Sequence, residues 1–79
     1  MNIEQLQEIL IRKGVNEVFY SLGSLAAQSE SYSIVQDGSE WKVVYKERGE
    51  CLVIEAGLSE DEACRLLYRM FEEFFGWLE

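Results

Sequence analysis

The chain has 79 residues, with 15 acidic and 7 basic side chains, a formal net charge of −8 and no histidine. This length allows one domain, spanning residues 1–79, with a small core. An acidic surface repels phosphate backbones and anionic lipid headgroups, so we expect neither nucleic acid nor a membrane as the partner. A basic protein is the favoured partner; the alternative is that the charge only keeps a small protein in solution.

The side-chain chemistry argues against catalysis. Without histidine the chain has no Ser-His or Cys-His nucleophile, and Cys51 and Cys64 alone do not complete a zinc site. A carboxylate pair such as Glu47 with Glu50 would need a cleft that excludes water to act as acid and base. We therefore expect no enzyme, no metal and no cofactor, unless such a pair lies in a cleft.

The chain is predicted to be cytoplasmic. It contains no apolar run long enough to cross a bilayer, and its first residues interleave apolar with acidic side chains, unlike a signal peptide. In that compartment the two cysteines stay reduced. We expect Cys51 on the outer face of a sheet and Cys64 near the start of the last helix, too far apart to form a disulfide.

The N-terminal third combines one clear element with one ambiguous segment. Residues 2–13 are predicted to form an amphipathic helix, followed by Gly14 as its C-terminal cap. The apolar residues of this helix recur at steps of three and four, namely Ile3, Leu6, Ile9 and Leu10. Residues 15–30 fit neither a helical nor a strand period. Within them Asn16 is suited to cap a short helical turn, and Gly23 to Ser31 are expected to form a loop.

Residues 31–58 are predicted to form three antiparallel strands in a meander. Asp37-Gly38 is a hairpin signal, because a type I′ turn needs a positive φ at both central positions. A turn centred on these two residues places Ile34 opposite Trp41.

The register of the second hairpin follows from the hydrophobic pattern. A loop of two or four residues puts one set of apolar residues on the face of Trp41, namely Leu52, Ile54, Ala56 and Leu58. A three-residue loop puts Cys51, Val53 and Glu55 there instead. Because burying a lone carboxylate is costly, the first register is preferred.

The clearest helix follows Ser59, which forms a capping box with Glu62. Its apolar residues recur at helical spacing, namely Ala63, Leu66, Leu67, Met70, Phe71 and Phe74. Gly76 is expected to end it. Trp41 is assigned to the core, whereas Trp77 either packs back on the domain or anchors a partner. The predicted fold class is α+β, an antiparallel meander of three or four strands with an N-terminal and a C-terminal helix packed on one face.

The outer face of the sheet is the predicted binding surface. Val44 and Val53 form an exposed apolar pair there, with charged residues around it, and an apolar centre with a charged rim is typical of a protein interface. The predicted partner-binding residues are Asp37, Glu40, Val44, Glu47, Glu50, Val53 and Glu55. Two alternatives stay open: β-branched residues favour strands wherever they point, and the first turn of the last helix offers a competing acidic patch.

Two segments of the chain resemble a known group of proteins. They are Trp41-Lys42-Val43-Val44-Tyr45-Lys46-Glu47-Arg48-Gly49 and Leu58-Ser59-Glu60-Asp61-Glu62-Ala63-Cys64. Within residues 31–71 they are similar to the W-x-V-x-Y-x-E-R-G strand-turn and the S-E-x-E-A-C helix start of small immunity proteins of bacterial polymorphic and contact-dependent toxin systems. The resemblance implies a protein that binds a cognate toxin domain and blocks its active site or partner surface, and it assigns no contact residue.

Charge, missing catalytic groups and this resemblance give the leading hypothesis. It is a cytoplasmic immunity protein that neutralises a basic toxin domain such as a nuclease, because a nuclease holds phosphates with Lys and Arg. The alternative is a small acidic adaptor or regulatory subunit that binds a non-toxin protein. The sequence does not fix the oligomeric state.

Overall fold

A computed structural model describes residues 1–77. The chain forms helix α1, a short 3₁₀ turn, four strands and helix α2, with the bounds α1 Ile3–Arg12, 3₁₀ turn Glu17–Phe19, β1 Tyr20–Leu22, β2 Ser31–Asp37, β3 Glu40–Glu47, β4 Glu50–Leu58 and α2 Glu60–Phe75. The strand order in the sheet is β1-β2-β3-β4. The predicted α+β fold with a helix at each end is confirmed. The fourth strand comes from the ambiguous segment, and β1 pairs parallel to β2, so the sheet is mixed rather than wholly antiparallel.

Side-chain caps define both helices. The predicted capping box of α2 is confirmed, since the Ser59 hydroxyl accepts the Glu62 N–H at 3.0 Å and Glu62 accepts the Ser59 N–H at 2.9 Å. The helix ends at Gly76, whose φ of 64° is the left-handed conformation that glycine adopts without strain. Helix α1 has its own capping box between Asn2 and Gln5, a signal that the sequence analysis missed.

Both helices pack on the same face of the sheet. The core that joins them to the strands consists of Leu6, Leu10, Ile34, Val43, Leu58, Ala63, Cys64, Leu67 and Phe71. Burying one such leucine or phenylalanine contributes about 1.5–3 kcal/mol, so this cluster is the main source of stability. Trp41 packs against it as predicted. Trp77 packs back on the domain, with its ring 5.6 Å from that of Tyr68 and 4.9 Å from the Lys13 ammonium.

The first hairpin turn is shifted by one residue from the prediction. Asp37 lies opposite Glu40, so the two loop residues are Gly38 and Ser39 rather than Asp37 and Gly38. Gly38 has a φ of 66°, and a positive φ at a glycine in the first central position is the pattern of a type II′ turn. Ile34 therefore pairs with Val43, not with Trp41. Moving the turn by one residue changes the pairing of β2 with β3 by two residues, so the side chains of these two strands stay on their predicted faces.

The second hairpin has a two-residue loop, which is one of the two loop lengths that the preferred register allowed. Arg48 and Gly49 both have positive φ angles, 50° and 81°, and Leu52 pairs with Tyr45 on the helix face. Further along, two register shifts interrupt the pairing of β3 with β4. The expectation that this register buries the apolar residues of β4 is wrong for most of the strand. Only Leu58 reaches the core, because α2 lies over the central strands and leaves β4 uncovered.

Candidate functional site

The predicted partner-binding residues lie at both ends and in the middle of the β3–β4 region. Asp37 and Glu40 flank the first turn, and Glu47 and Glu50 flank the second. These turns are separated by the eight residues of β3, roughly 23 Å at 3.3 Å per step. The four carboxylates therefore do not form one cluster.

Val44 is not exposed, which corrects the prediction for the outer face. Its side chain is only 3% accessible, whereas that of its partner Val53 is 54% accessible. The loop of residues 23–30 covers this part of the sheet, because the connection between two parallel strands must cross one face. The buried Ser33 hydroxyl accepts the Ala26 N–H at 2.9 Å and holds the loop down.

The side chain of Lys46 also fastens the covering loop. Its ammonium donates to the carbonyl oxygens of Ala26 and Ala27 at 3.2 and 3.1 Å. A backbone bond of 2.6 Å from the Glu30 N–H to the Lys46 carbonyl closes the end of the loop. The outer face is therefore reduced to a shallow groove between Leu25 and the exposed Val53.

Glu55 lies on the helix face, although it was predicted on the outer face. It pairs with Val43, and the register shift between Val43 and Val44 leaves Ile54 as an extra residue in β4. One extra residue turns the following side chains to the other face of the sheet. Glu55 consequently lines a groove beside α2, together with Arg65 and Arg69.

Strand β4 is the most accessible regular element that carries predicted site residues. Every residue from Glu50 to Gly57 is exposed, and the accessible fractions of Leu52, Val53 and Ile54 are 52, 54 and 44%. Within residues 1–77 no strand pairs with the outer edge of β4, so its outward-facing N–H and C=O groups are open. Such an edge is a template for contact with another chain, and carboxylates along it limit uncontrolled pairing.

The carboxylates beside β4 differ from those of α2 in their bonding. Glu60 accepts the Ile3 N–H at 3.0 Å, Glu62 caps the helix, and Asp61 binds the N-terminal ammonium and, at 2.9 Å, the Arg65 guanidinium. Those bonds lower the pKa of Asp61. By contrast, no salt bridge within the described residues involves Glu47, Glu50 or Glu55. The acidic residues in the first turn of α2 are thus already bonded within the domain, whereas the carboxylates of Glu47, Glu50 and Glu55 are available to a partner.

The two cysteines are both free and occupy different environments. Cys51 is exposed on β4, and Cys64 is fully buried in α2. Burial raises the pKa of the Cys64 thiol from 9.0 to about 11, which keeps it protonated at neutral pH.

Among residues 1–77 no three His, Cys, Asp or Glu side chains converge in the manner of a metal site. Glu47 and Glu50, the carboxylate pair considered for acid–base chemistry, both lie exposed at the end of a hairpin.

A wider concavity lies on the other side of the domain, between α1 and the short strand β1. It has a volume of about 610 Å³ and is open to solvent. Its lining mixes polar and aliphatic side chains, and among the lining residues Glu17 and Tyr20 carry the ionisable groups. It offers no pair of groups placed for acid–base or nucleophilic chemistry.

No protein-family model, curated protein or solved structure matches the chain. Within residues 1–77 no helix has the length and apolar character needed to span a membrane.

Proposed function

We propose that this protein is a cytoplasmic immunity protein that binds a basic toxin domain, such as a nuclease, and neutralises it without catalysis. The observation that carries the proposal is the surface of β4. Within residues 1–77 Glu47, Glu50 and Glu55 form no ion pair, and they flank a run of exposed apolar side chains on a strand edge that no other strand of this range pairs with. The resemblance to immunity proteins adds the identity of the partner class.

The electrostatics favour a basic partner over a second copy of the chain. With a net charge of −8, two copies repel each other, whereas a domain rich in Lys and Arg is attracted from a distance. A nuclease presents such residues in the groove that holds phosphates. Carboxylates that occupy the groove displace the nucleic acid and so block the activity.

The apolar centre of the surface supports a stable complex. Leu52 and Val53 point to opposite faces of β4 and both are about half exposed, so a partner at this edge is able to contact both. A specific interface covers about 800 Å² on each protein, which is more than one strand edge provides. The contact area therefore includes the side chains next to β4 as well as the strand itself.

Co-expression with the product of the neighbouring gene tests the proposal. The expected result is that the two proteins co-purify and that the present chain relieves growth arrest caused by the other. If the pair neither co-purifies nor restores growth, the proposal is wrong. A neighbouring operon of metabolic or structural genes, with binding to one of their products, would support the adaptor alternative instead.

A further inference from the structure

A cluster of aromatic rings surrounds a pocket next to the start of β4. The pocket has a volume of about 170 Å³, the space of roughly five or six water molecules, and is lined by Phe19, Glu30, Tyr32, Tyr45, Phe71, Phe74 and Phe75. Phe71 is buried at its base. The Tyr32 and Tyr45 rings, 4.7 Å apart, form the side contributed by the sheet.

The helix side of the pocket carries Phe74, the most exposed aromatic residue of the described chain, and the neighbouring Phe75. Phe74 is 74% accessible and Phe75 39%, with 5.1 Å between their ring centroids. Phe19 from the 3₁₀ turn packs edge-on to Phe75 at 6.3 Å. Exposing such large rings in water is unfavourable, and adjacent exposed rings mark an interaction site rather than scattered surface residues.

The pocket is also acidic. Glu30 is the one charged residue among those that line it. Burial is the largest cause of the raised pKa of Tyr45, and the charges of Glu47, Tyr32 and Glu30 raise it further. No Lys or Arg is among the lining residues, so the negative potential is not neutralised inside the pocket.

Glu30 stands at a position where the backbone would favour another residue. Its φ of 59° is left-handed, a conformation that glycine and asparagine adopt at much lower cost than glutamate. Its backbone N–H is bonded to the Lys46 carbonyl, which fixes the turn independently of the side chain. The carboxylate is therefore not required by the fold, and its place at an aromatic pocket calls for another role.

We propose that this aromatic pocket binds one Lys or Arg side chain of the protein's partner, with the ring faces contacting the cation and Glu30 pairing with its charge. Aromatic faces attract cations, and the attraction grows when water is excluded. The same chain already uses this contact nearby, where the Lys13 ammonium lies over the Trp77 ring that stacks on Phe75 at 5.9 Å. A purely apolar side chain would leave Glu30 without a counter-charge.

The pocket extends the proposed interface. Leu52 pairs with Tyr45, so the exposed edge of β4 and the pocket form adjacent parts of one surface. The inference rests on the proposed function for the source of the cation, since a basic toxin domain supplies many Lys and Arg side chains. The residues of the pocket are expected to contribute most to the affinity for the partner, because interface hot spots are enriched in aromatic and Arg side chains that meet in desolvated pockets.

An NMR titration of the whole chain with a capped hexa-arginine peptide tests the pocket directly. A hexa-citrulline peptide, which has the same shape without the charge, is the control ligand. We expect the ring signals of Phe74, Phe75 and Tyr45 to shift and saturate with the arginine peptide and to stay in place with the citrulline peptide. Equal shifts with both peptides, or arginine-induced shifts that avoid these rings, would overturn the proposal.

Two variants assign the effect to the pocket. Phe74→Leu and Glu30→Gln should each weaken arginine-peptide binding about tenfold, because each removes one of the two attractions for the cation. Leu25→Ala, a change at an exposed apolar residue on the other face of the sheet, should leave it unchanged. Since Phe74 and Glu30 are exposed, neither variant is expected to unfold the protein. Unchanged peptide affinity in both pocket variants would contradict the assignment.

The same variants separate the two proposals. If the toxin domain does not bind while the ring signals still respond to the arginine peptide, the proposed function fails and the pocket stands. If the toxin domain binds Phe74→Leu and Glu30→Gln as tightly as the unchanged protein, the pocket proposal fails and the proposed function stands.

Discussion

Glu47 and Glu50 lie directly opposite each other where β3 and β4 meet their turn. Like charges in this position repel and weaken a hairpin, and within residues 1–77 neither carboxylate forms a salt bridge that would offset the repulsion. The pair therefore reduces stability while adding negative charge beside an exposed strand. That combination is expected where the charge serves binding rather than folding.

Glu50→Gln should stabilise the protein, because it removes this cross-strand repulsion. The expected gain is about 0.5 kcal/mol, or roughly 2–4 °C in Tm for a domain of this size, measured by urea and thermal unfolding. Glu55→Gln is the matched control, since Glu55 lies on the same strand opposite the apolar Val43. An equal gain in both variants would mean that net charge, rather than the opposed pair, limits stability.

Arg48→Asn should also stabilise the protein. Arg48 has a φ of 50°, and Asn-Gly is the preferred pair for the type I′ geometry that positive φ angles at Arg48 and Gly49 define. The expected gain is about 0.5–1 kcal/mol in the free energy of unfolding. Gly49→Ala at the next position should act in the opposite direction, because alanine at a φ of 81° is strained. A loss of stability in Arg48→Asn would refute this account of the turn.

Ser33→Ala should loosen the loop that covers the outer face of the sheet. The change leaves the Ala26 N–H without its acceptor, at a cost of about 1–2 kcal/mol in the free energy of unfolding. Hydrogen exchange should accelerate at Ala26 first. Ser29→Ala, an exposed serine in the same loop, serves as the control and should change stability by less than about 0.5 kcal/mol.

The two thiols should differ in reactivity. At pH 8 a disulfide reagent such as Ellman's reagent is expected to label the exposed Cys51 quickly and to leave Cys64 unmodified until the protein is unfolded. The physical reason is that the thiolate is the reactive form, and the raised pKa of about 11 keeps Cys64 protonated. Fast labelling of Cys51→Ser in the absence of denaturant would contradict the buried position of Cys64.

Local sequence patterns predicted the helices and the two hairpins, because capping boxes and turn residues act over a few positions. The β1 strand was not identifiable, since Tyr20 to Leu22 are three residues without a period, and their parallel pairing depends on contacts with β2. The first turn was misplaced by one residue because Asp37-Gly38 and Gly38-Ser39 are both acceptable turn pairs.

The candidate site was harder to predict than the fold. Burial of Val44 depends on a loop of small residues that lies flat on the sheet, and the position of Glu55 depends on a bulge at Ile54. Neither feature has a local signature in the chain. The aromatic pocket was missed because helical spacing places Phe71 and Phe74 on one apolar face of the helix and does not distinguish a buried Phe71 from an exposed Phe74.

The rate of association with the toxin domain, followed by stopped flow at increasing salt, tests the central claim most directly. Glu47→Lys with Glu50→Lys should slow association about tenfold at low salt and flatten its salt dependence. Stability should stay nearly the same, because one like-charge pair replaces another. Glu72→Lys with Glu73→Lys makes the same change in net charge on α2 and should have a smaller effect. If binding survives the first pair of substitutions and collapses with the second, the partner does not bind at β4.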